Sequence, residues 1–169
     1  LCHVSSTATI GEAPVGVHRD ETLPWVADRR KSLYAMTKYA AELEVQRGVA
    51  EGLDAVMVNP CIVLGPGLPG RSSMTLVERL RKGTRFYPPG SNAVVDARDV
   101  ARCMVSLMDR GTVGERYLLV GENLTYQRLF ALMSEVFGRT PPTWRLRSWM
   151  LEAAWRLERS RSMLTGATP

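Results

Sequence analysis

The 169 residues carry 22 lysines and arginines against 17 aspartates and glutamates, a formal charge of +5, with 45% hydrophobic and 23% charged residues. That is the composition of an ordinary globular chain long enough for a sizeable core, with no apolar run able to span a bilayer and no secretory h-region in its opening residues. The basic balance lies in scattered arginines and reads as solvated surface, not a nucleic-acid face; Cys2, Cys61 and Cys103, without metal spacing, read as reduced thiols of a cytoplasmic protein, and His3 and His18 are too isolated for a metal site or a triad.

Opening on Leu1, the chain reads as starting inside a short buried strand, "LCHVSST", that ends in hydroxyls. Residues 11–31 are loop-like, punctuated by Gly11, Pro14, Gly16 and Pro24. Ser32 to about Ala50 is a helix, with Ser32 as N-cap and Gly52 as stop. "DAVMVNP" is a continuous apolar run of strand length halted by Pro60, the pattern of a parallel central strand. The loop "GPGLPG" precedes a helix from about Met74 to Lys82, a turn around "YPPGSN" and a short strand, "AVVD". Val100–Asp109 reads as a helix and "ERYLLV" as a strand ended by Gly121. Thr125 caps a helix with Leu129, Leu132, Met133, Val136 and Phe137 on one face, closed by Gly138. The tail, Trp149 to Leu164, is a basic amphipathic helix that fits docking on the domain better than lying on a membrane surface. Alternating strand and helix segments argue for an α/β fold, and no linker divides the chain.

The most informative residues are "YAMTK", Tyr34 to Lys38. Positions i and i+4 share a helix face, and an ammonium one turn from a phenol favours the ionised phenol. Such a tyrosine can exchange a proton with a substrate oxygen near neutral pH. A Tyr-x-x-x-Lys pair alone is weak, because a tyrosine packed on a lysine stem has the same spacing. Three features add weight. "VSSTATIG" puts hydroxyls at the C-terminal end of a strand, where open α/β sheets bind ligands; Thr7 can address the same substrate oxygen as Tyr34. Local capping is the competing role of these hydroxyls and is preferred for Ser5, which also counts as a cofactor-contacting position. "NPCIVLGPG" turns at Pro60 and exposes backbone N–H groups suited to an amide or phosphate. "VVDARDVAR" places Asp99 at a helix start.

Taken in this order, hydroxyl strand, Tyr-x-x-x-Lys helix, Asn-Pro strand end with Gly-Pro-Gly and "VDARDVA", the chain resembles the extended short-chain dehydrogenase/reductase family from Leu1 to about Pro142. That group includes nucleotide-sugar epimerases and dehydratases, dihydroflavonol reductases and 3β-hydroxysteroid dehydrogenases. The resemblance implies the C-terminal part of a Rossmann-type doubly wound parallel sheet. Residues 1–169 would form a partial NAD(P)-binding domain intermixed with a small substrate-binding α/β subdomain, the glycine-rich N-terminal half being absent. It implies a catalytic triad of Thr7, Tyr34 and Lys38: Tyr34 as acid/base, Thr7 orienting the substrate oxygen, Lys38 also holding the nicotinamide ribose. Pro60, Cys61, Ile62 and Val63 would hold the carboxamide through their backbone, and Asn59 matches a substrate-reaching position. Arg71, Tyr87 and Asn92 are further substrate-binding candidates.

Two departures from the family pattern matter. The glycine-rich fingerprint and the residue that selects NAD or NADP are missing, and "GLPGRS" has the wrong place and spacing to replace them. The arginine that nucleotide-sugar members carry before the "VVDARDVA" strand is replaced by Ser91, Asn92 and Ala93, which favours a reductase-like branch. The expectation is an oxidoreductase using NAD or NADP on a small alcohol or carbonyl, working as a homodimer. The alternatives are a nucleotide-sugar epimerase or dehydratase and a non-catalytic cofactor sensor on the same fold. Cys61 is expected to fill a tight turn as a small residue, Trp25 either to line the substrate pocket or to pack over its loop, Arg98 to pair with a neighbouring acid, and His18 to be exposed.

Overall fold

A computed structural model describes residues 1–14, 16–28, 31–68, 70, 73–147 and 150. In chain order the elements are β1 (Cys2–Val4), a 3-10 turn (Thr7–Thr9), α1 (Leu33–Ala50), β2 (Val56–Pro60), β3 (Ile62–Leu64), α2 (Ser73–Lys82), β4 (Phe86–Tyr87), β5 (Ser91–Asp96), α3 (Ala97–Arg110), β6 (Arg116–Leu119), β7 (Glu122–Thr125), α4 (Tyr126–Val136) and β8 (Trp144–Arg145). Two compact units arise, each from two separated stretches: residues 1–67 with 93–123, and 68–92 with 124–169. The division falls within β5 and β7, so no single linker marks it.

Local chemistry accounts for the helix ends of the first unit. The Ser32 hydroxyl accepts from the Ala35 N–H and starts α1, and Gly52, at φ +102°, lets the chain turn away where a side chain would be strained. Asp96 likewise starts α3 by accepting from the Arg98 N–H. Every residue of β2 is buried, as its apolar run requires, and β2 lies between β1 and β6 in a parallel sheet. The register pairs Cys2 with Val56 and Pro60 with Leu119. β3 and β5 pair in parallel, Ile62 opposite Val94. Val58, Cys61, Val95, Val100 and Leu119 form the core cluster, a valine or leucine side chain contributing roughly 1.5–3 kcal/mol when fully buried.

β1 is not the buried strand that its composition suggests. It is an edge strand, with Cys2 and His3 half-buried and Val4 exposed, because only β2 covers one side of it. Pro60 does end its strand. It is the last residue of β2, and after Cys61 the chain pairs again as β3 beside β5.

In the second unit α2 packs against α4, burying Leu80, Leu129 and Phe130. Thr125 caps α4 by accepting from the Arg128 N–H, and Gly138 follows its end at φ +60°. Val136, expected on the buried face of that helix, is 80% exposed, and Phe130 takes the inward place. The rings of Phe86 and Trp144 meet edge-on across the short parallel pair β4–β8, and β4 packs against α4. Residues 151–164 of the expected tail helix lie outside the described residues, as does Trp149.

Candidate active site

α1 carries Tyr34 and Lys38 one turn apart. The 3-10 turn that carries Thr7 packs against this helix and is capped by Ser6, whose hydroxyl accepts from the Ala8 N–H. Ser6, not Ser5, therefore does the capping. Lys38 Nζ donates to the Val4 carbonyl at 3.0 Å, which ties the helix to the end of β1 three residues ahead of Thr7. One of the three ammonium donors is spent on that bond. Tyr34 is 56% exposed, so its phenol is open to a substrate. His3, on β1, is held below its ordinary value chiefly by burial and then by Lys38, against an opposing pull from Glu42.

The proposed cofactor turn is more committed than expected. Cys61 N–H donates to Leu119 O at 3.2 Å, so it is not an exposed donor, and Ile62 and Val63 belong to β3. The Cys61 thiol is buried, and burial pushes its titration up, as befits a small packing residue. Ser5 is buried too, with its N–H on Val58 O and its hydroxyl without a partner.

Asn59 departs most from expectation. It is 0% exposed, and its amide nitrogen lies 2.6 Å from Glu42 Oε1, 2.9 Å from Thr9 Oγ1 and 3.2 Å from Ser6 O. Its two N–H groups are shared among these three acceptors, its Oδ1 has no partner, and no part of the side chain opens to the surface. It links β2 to the turn that carries Thr7 and to α1 instead. Glu42 and Thr9, the other members of this cluster, were not singled out by the sequence reading. One signal was there: Glu42 follows Lys38 by four residues, on the same helix face.

Tyr87 and Asn92 belong to the second unit. The Tyr87 carbonyl accepts from the Leu146 N–H, and Asn92 donates to the Tyr126 hydroxyl at 3.2 Å. Arg71 lies outside the described residues. Trp25 stacks on Tyr39 at 4.6 Å and 13°, with Lys31 Nζ 5.1 Å from its ring centre, so the ring packs the loop onto α1. Arg98 pairs with Asp96, and His18 is exposed in its loop. Among the described residues no three His, Cys, Asp or Glu side chains gather as metal ligands, and no helix is long and apolar enough to cross a membrane.

This parallel α/β arrangement is that of known Rossmann-type enzymes. The model of the NAD dependent epimerase/dehydratase family matches residues 1–120, and the chain belongs to that family, whose cofactor is NAD or NADP. It is 31% identical over 160 residues to a putative dihydroflavonol 4-reductase of Synechocystis, covering 90% of this chain and 47% of that protein. It is 30% identical over 146 residues to the sterol demethylase protein B of Methylococcus capsulatus, covering 84% and 44%. The chain thus spans about half the length of the curated relatives it matches. Among solved structures, a nucleoside-diphosphate-sugar epimerase from Pseudomonas aeruginosa superposes with a TM-score of 0.83 at 27% identity, over 94% of this chain and 53% of that one. The Thermus thermophilus UDP-glucose 4-epimerase complex with NAD gives 0.67 at 27%, over 83% and 49%. The residues at the end of β1 fit a group rich in hydroxyls and amides: a lysine with donors to spare and a buried serine hydroxyl lacking a partner.

Proposed function

We propose that this chain supplies the catalytic and substrate-binding half of an NAD(P)-dependent oxidoreductase acting on a small alcohol or carbonyl. The observation that carries this reading is the Lys38–Val4 bond, which brings the Tyr-x-x-x-Lys face of α1 to the strand end leading to Thr7. Tyr34 exchanges the proton of the substrate oxygen, and Thr7 orients that oxygen by hydrogen bonding. Lys38 would hold the nicotinamide ribose, and Ser5 and the Pro60–Val63 segment would face the cofactor. The cofactor, when bound, supplies hydride exchange with the substrate carbon. Residues 1–169 are read as a partial cofactor domain intermixed with a substrate-binding subdomain.

The test is made in the full-length protein. Tyr34→Phe should lower turnover by about 10²–10⁴-fold while cofactor affinity stays the same, since the phenol acts on substrate alone. Lys38→Met should harm both. Wild-type turnover by Tyr34→Phe would remove the assignment. A cofactor sensor on the same fold would bind the nicotinamide yet leave its absorbance unchanged with every carbonyl offered.

The Pseudomonas neighbour favours a second reading, a nucleotide-sugar substrate. Against it stands Ser91-Asn92-Ala93, where such enzymes are expected to place an arginine for the diphosphate. A lost charge-assisted contact weakens binding by about 1.5–3 kcal/mol, tenfold or more. Millimolar UDP should therefore give the full-length protein no thermal protection. Protection that disappears in Arg71→Ala would promote the nucleotide-sugar reading.

A further inference from the structure

From the buried cluster beneath α1 we infer that Glu42 is a positioning residue for the Thr7–Tyr34–Lys38 site, an inference that rests on the function proposed above. Glu42 is 1% exposed, and burying a carboxylate is costly unless its bonds repay it. Its Oε1 accepts from Thr9 Oγ1 and from Asn59 Nδ2, each at 2.6 Å. Thr9 and Asn59 are themselves 0% exposed and 2.9 Å apart, Asn59 donating to the threonine oxygen. Its Oε2 faces Arg116 Nη1 at 3.7 Å and has no closer partner. Arg116 in turn donates through Nη2 to the Glu21 carbonyl at 2.8 Å, while Glu21 Oε1 accepts from the Leu118 N–H.

One carboxylate therefore joins the segments that the site needs. Thr9 ends the turn that carries Thr7. Asn59 precedes the Pro60–Val63 segment. Glu42 itself stands one helical turn behind Lys38 and two behind Tyr34. Arg116 extends the tie to the loop that leads into α1. A mere space-filler in this place would be apolar, because an apolar side chain avoids the desolvation cost. A polar junction gives direction instead: its bonds fix both the rotation of α1 and the height of the Thr7 turn against it. Misplacing reacting groups by about 1 Å costs about 10²-fold in rate.

The experiment compares Glu42→Leu, Glu42→Gln and Thr9→Val in the full-length enzyme, with turnover divided by the folded fraction at a temperature well below each unfolding midpoint. Thr9→Val removes, at nearly constant shape, the hydroxyl that lies 2.6 Å from Glu42 Oε1, 2.8 Å from Ser6 O and 2.9 Å from Asn59 Nδ2, and serves if Glu42→Leu does not fold. We expect kcat per folded molecule to fall by about 10-fold or more in Glu42→Leu and Thr9→Val. Glu42→Gln, which keeps an acceptor for Thr9 and Asn59, should recover most of that loss. Unchanged kcat per folded molecule in Thr9→Val would overturn the inference and leave Glu42 a core residue only. Tyr34→Phe belongs in the same series: if it is fully active, the site itself has been misread. If it is inactive beside a fully active Thr9→Val, only the role of Glu42 falls.

Discussion

Asp96 shows how much a single exposed carboxylate can do at a helix start. Its side chain accepts from Arg98 Nε at 3.0 Å, from Arg98 Nη2 at 2.7 Å and from the Arg98 N–H at 2.7 Å. The guanidinium bonds, followed by the backbone bond, lower its titration to about 2. In the unfolded chain an aspartate titrates near ~3.9. The unfolded state therefore binds more protons between about pH 4 and pH 2, and stability drawn from Asp96 is intact above that window and lost as pH falls through it. Arg98 is 79% exposed along its side chain, so the contribution is small and screened by salt. Thermal unfolding of Asp96→Asn should show a shallower acid slope than wild type between about pH 4 and 2 at low ionic strength. At neutral pH most of the cap should persist, since asparagine can still accept from the Arg98 N–H. Superimposable acid slopes for the two proteins would refute the assignment.

At the scale of elements, what was legible in the sequence was what is decided locally. α1 begins and ends where Ser32 and Gly52 say it should, and Thr125 starts α4, because a cap is chemistry between residues two or three apart. β2 was visible because a strand covered on both faces must be apolar throughout. The 3-10 turn and the short strands β3, β7 and β8 were not visible, since pieces of two to four residues are set by the partner they meet and not by their own pattern. Burial of β1 was misjudged for the same reason: composition shows a capacity to pair, not how many neighbours are present. Within the candidate site, the spacing of Tyr34 and Lys38 was legible from helix geometry alone. The role of Asn59 was not. A polar residue after an apolar strand looks like a ligand contact until Glu42 and Thr9, 17 residues and 50 residues away in sequence, are seen to enclose it.

At the scale of the whole molecule, the decisive feature is the free side of β1. Among the described residues no strand pairs with the far side of β1, where the Val4 carbonyl accepts from Lys38 instead, and this strand leads directly to Thr7. Exposed Leu1 and Val4 add apolar surface to that edge. In a parallel α/β sheet dinucleotides bind across the strand ends and depend heavily on a glycine-rich turn at a helix N-terminus. No such fingerprint occurs in the 169 residues. Under the proposed function, the chain would offer the cofactor a ribose contact from Lys38, whose Nζ already bonds the Val4 carbonyl, and a strand end whose Cys61 N–H is engaged. These residues by themselves should therefore bind NAD or NADP poorly, although they hold the proposed proton-transfer groups. The bare edge should also drive pairing of copies or aggregation as concentration rises. Calorimetry with residues 1–169 and either dinucleotide should show weak or no heat, and light scattering should show mass growing with concentration. Tight one-to-one binding by a stable monomer would mean that the cofactor is gripped by residues other than those named here.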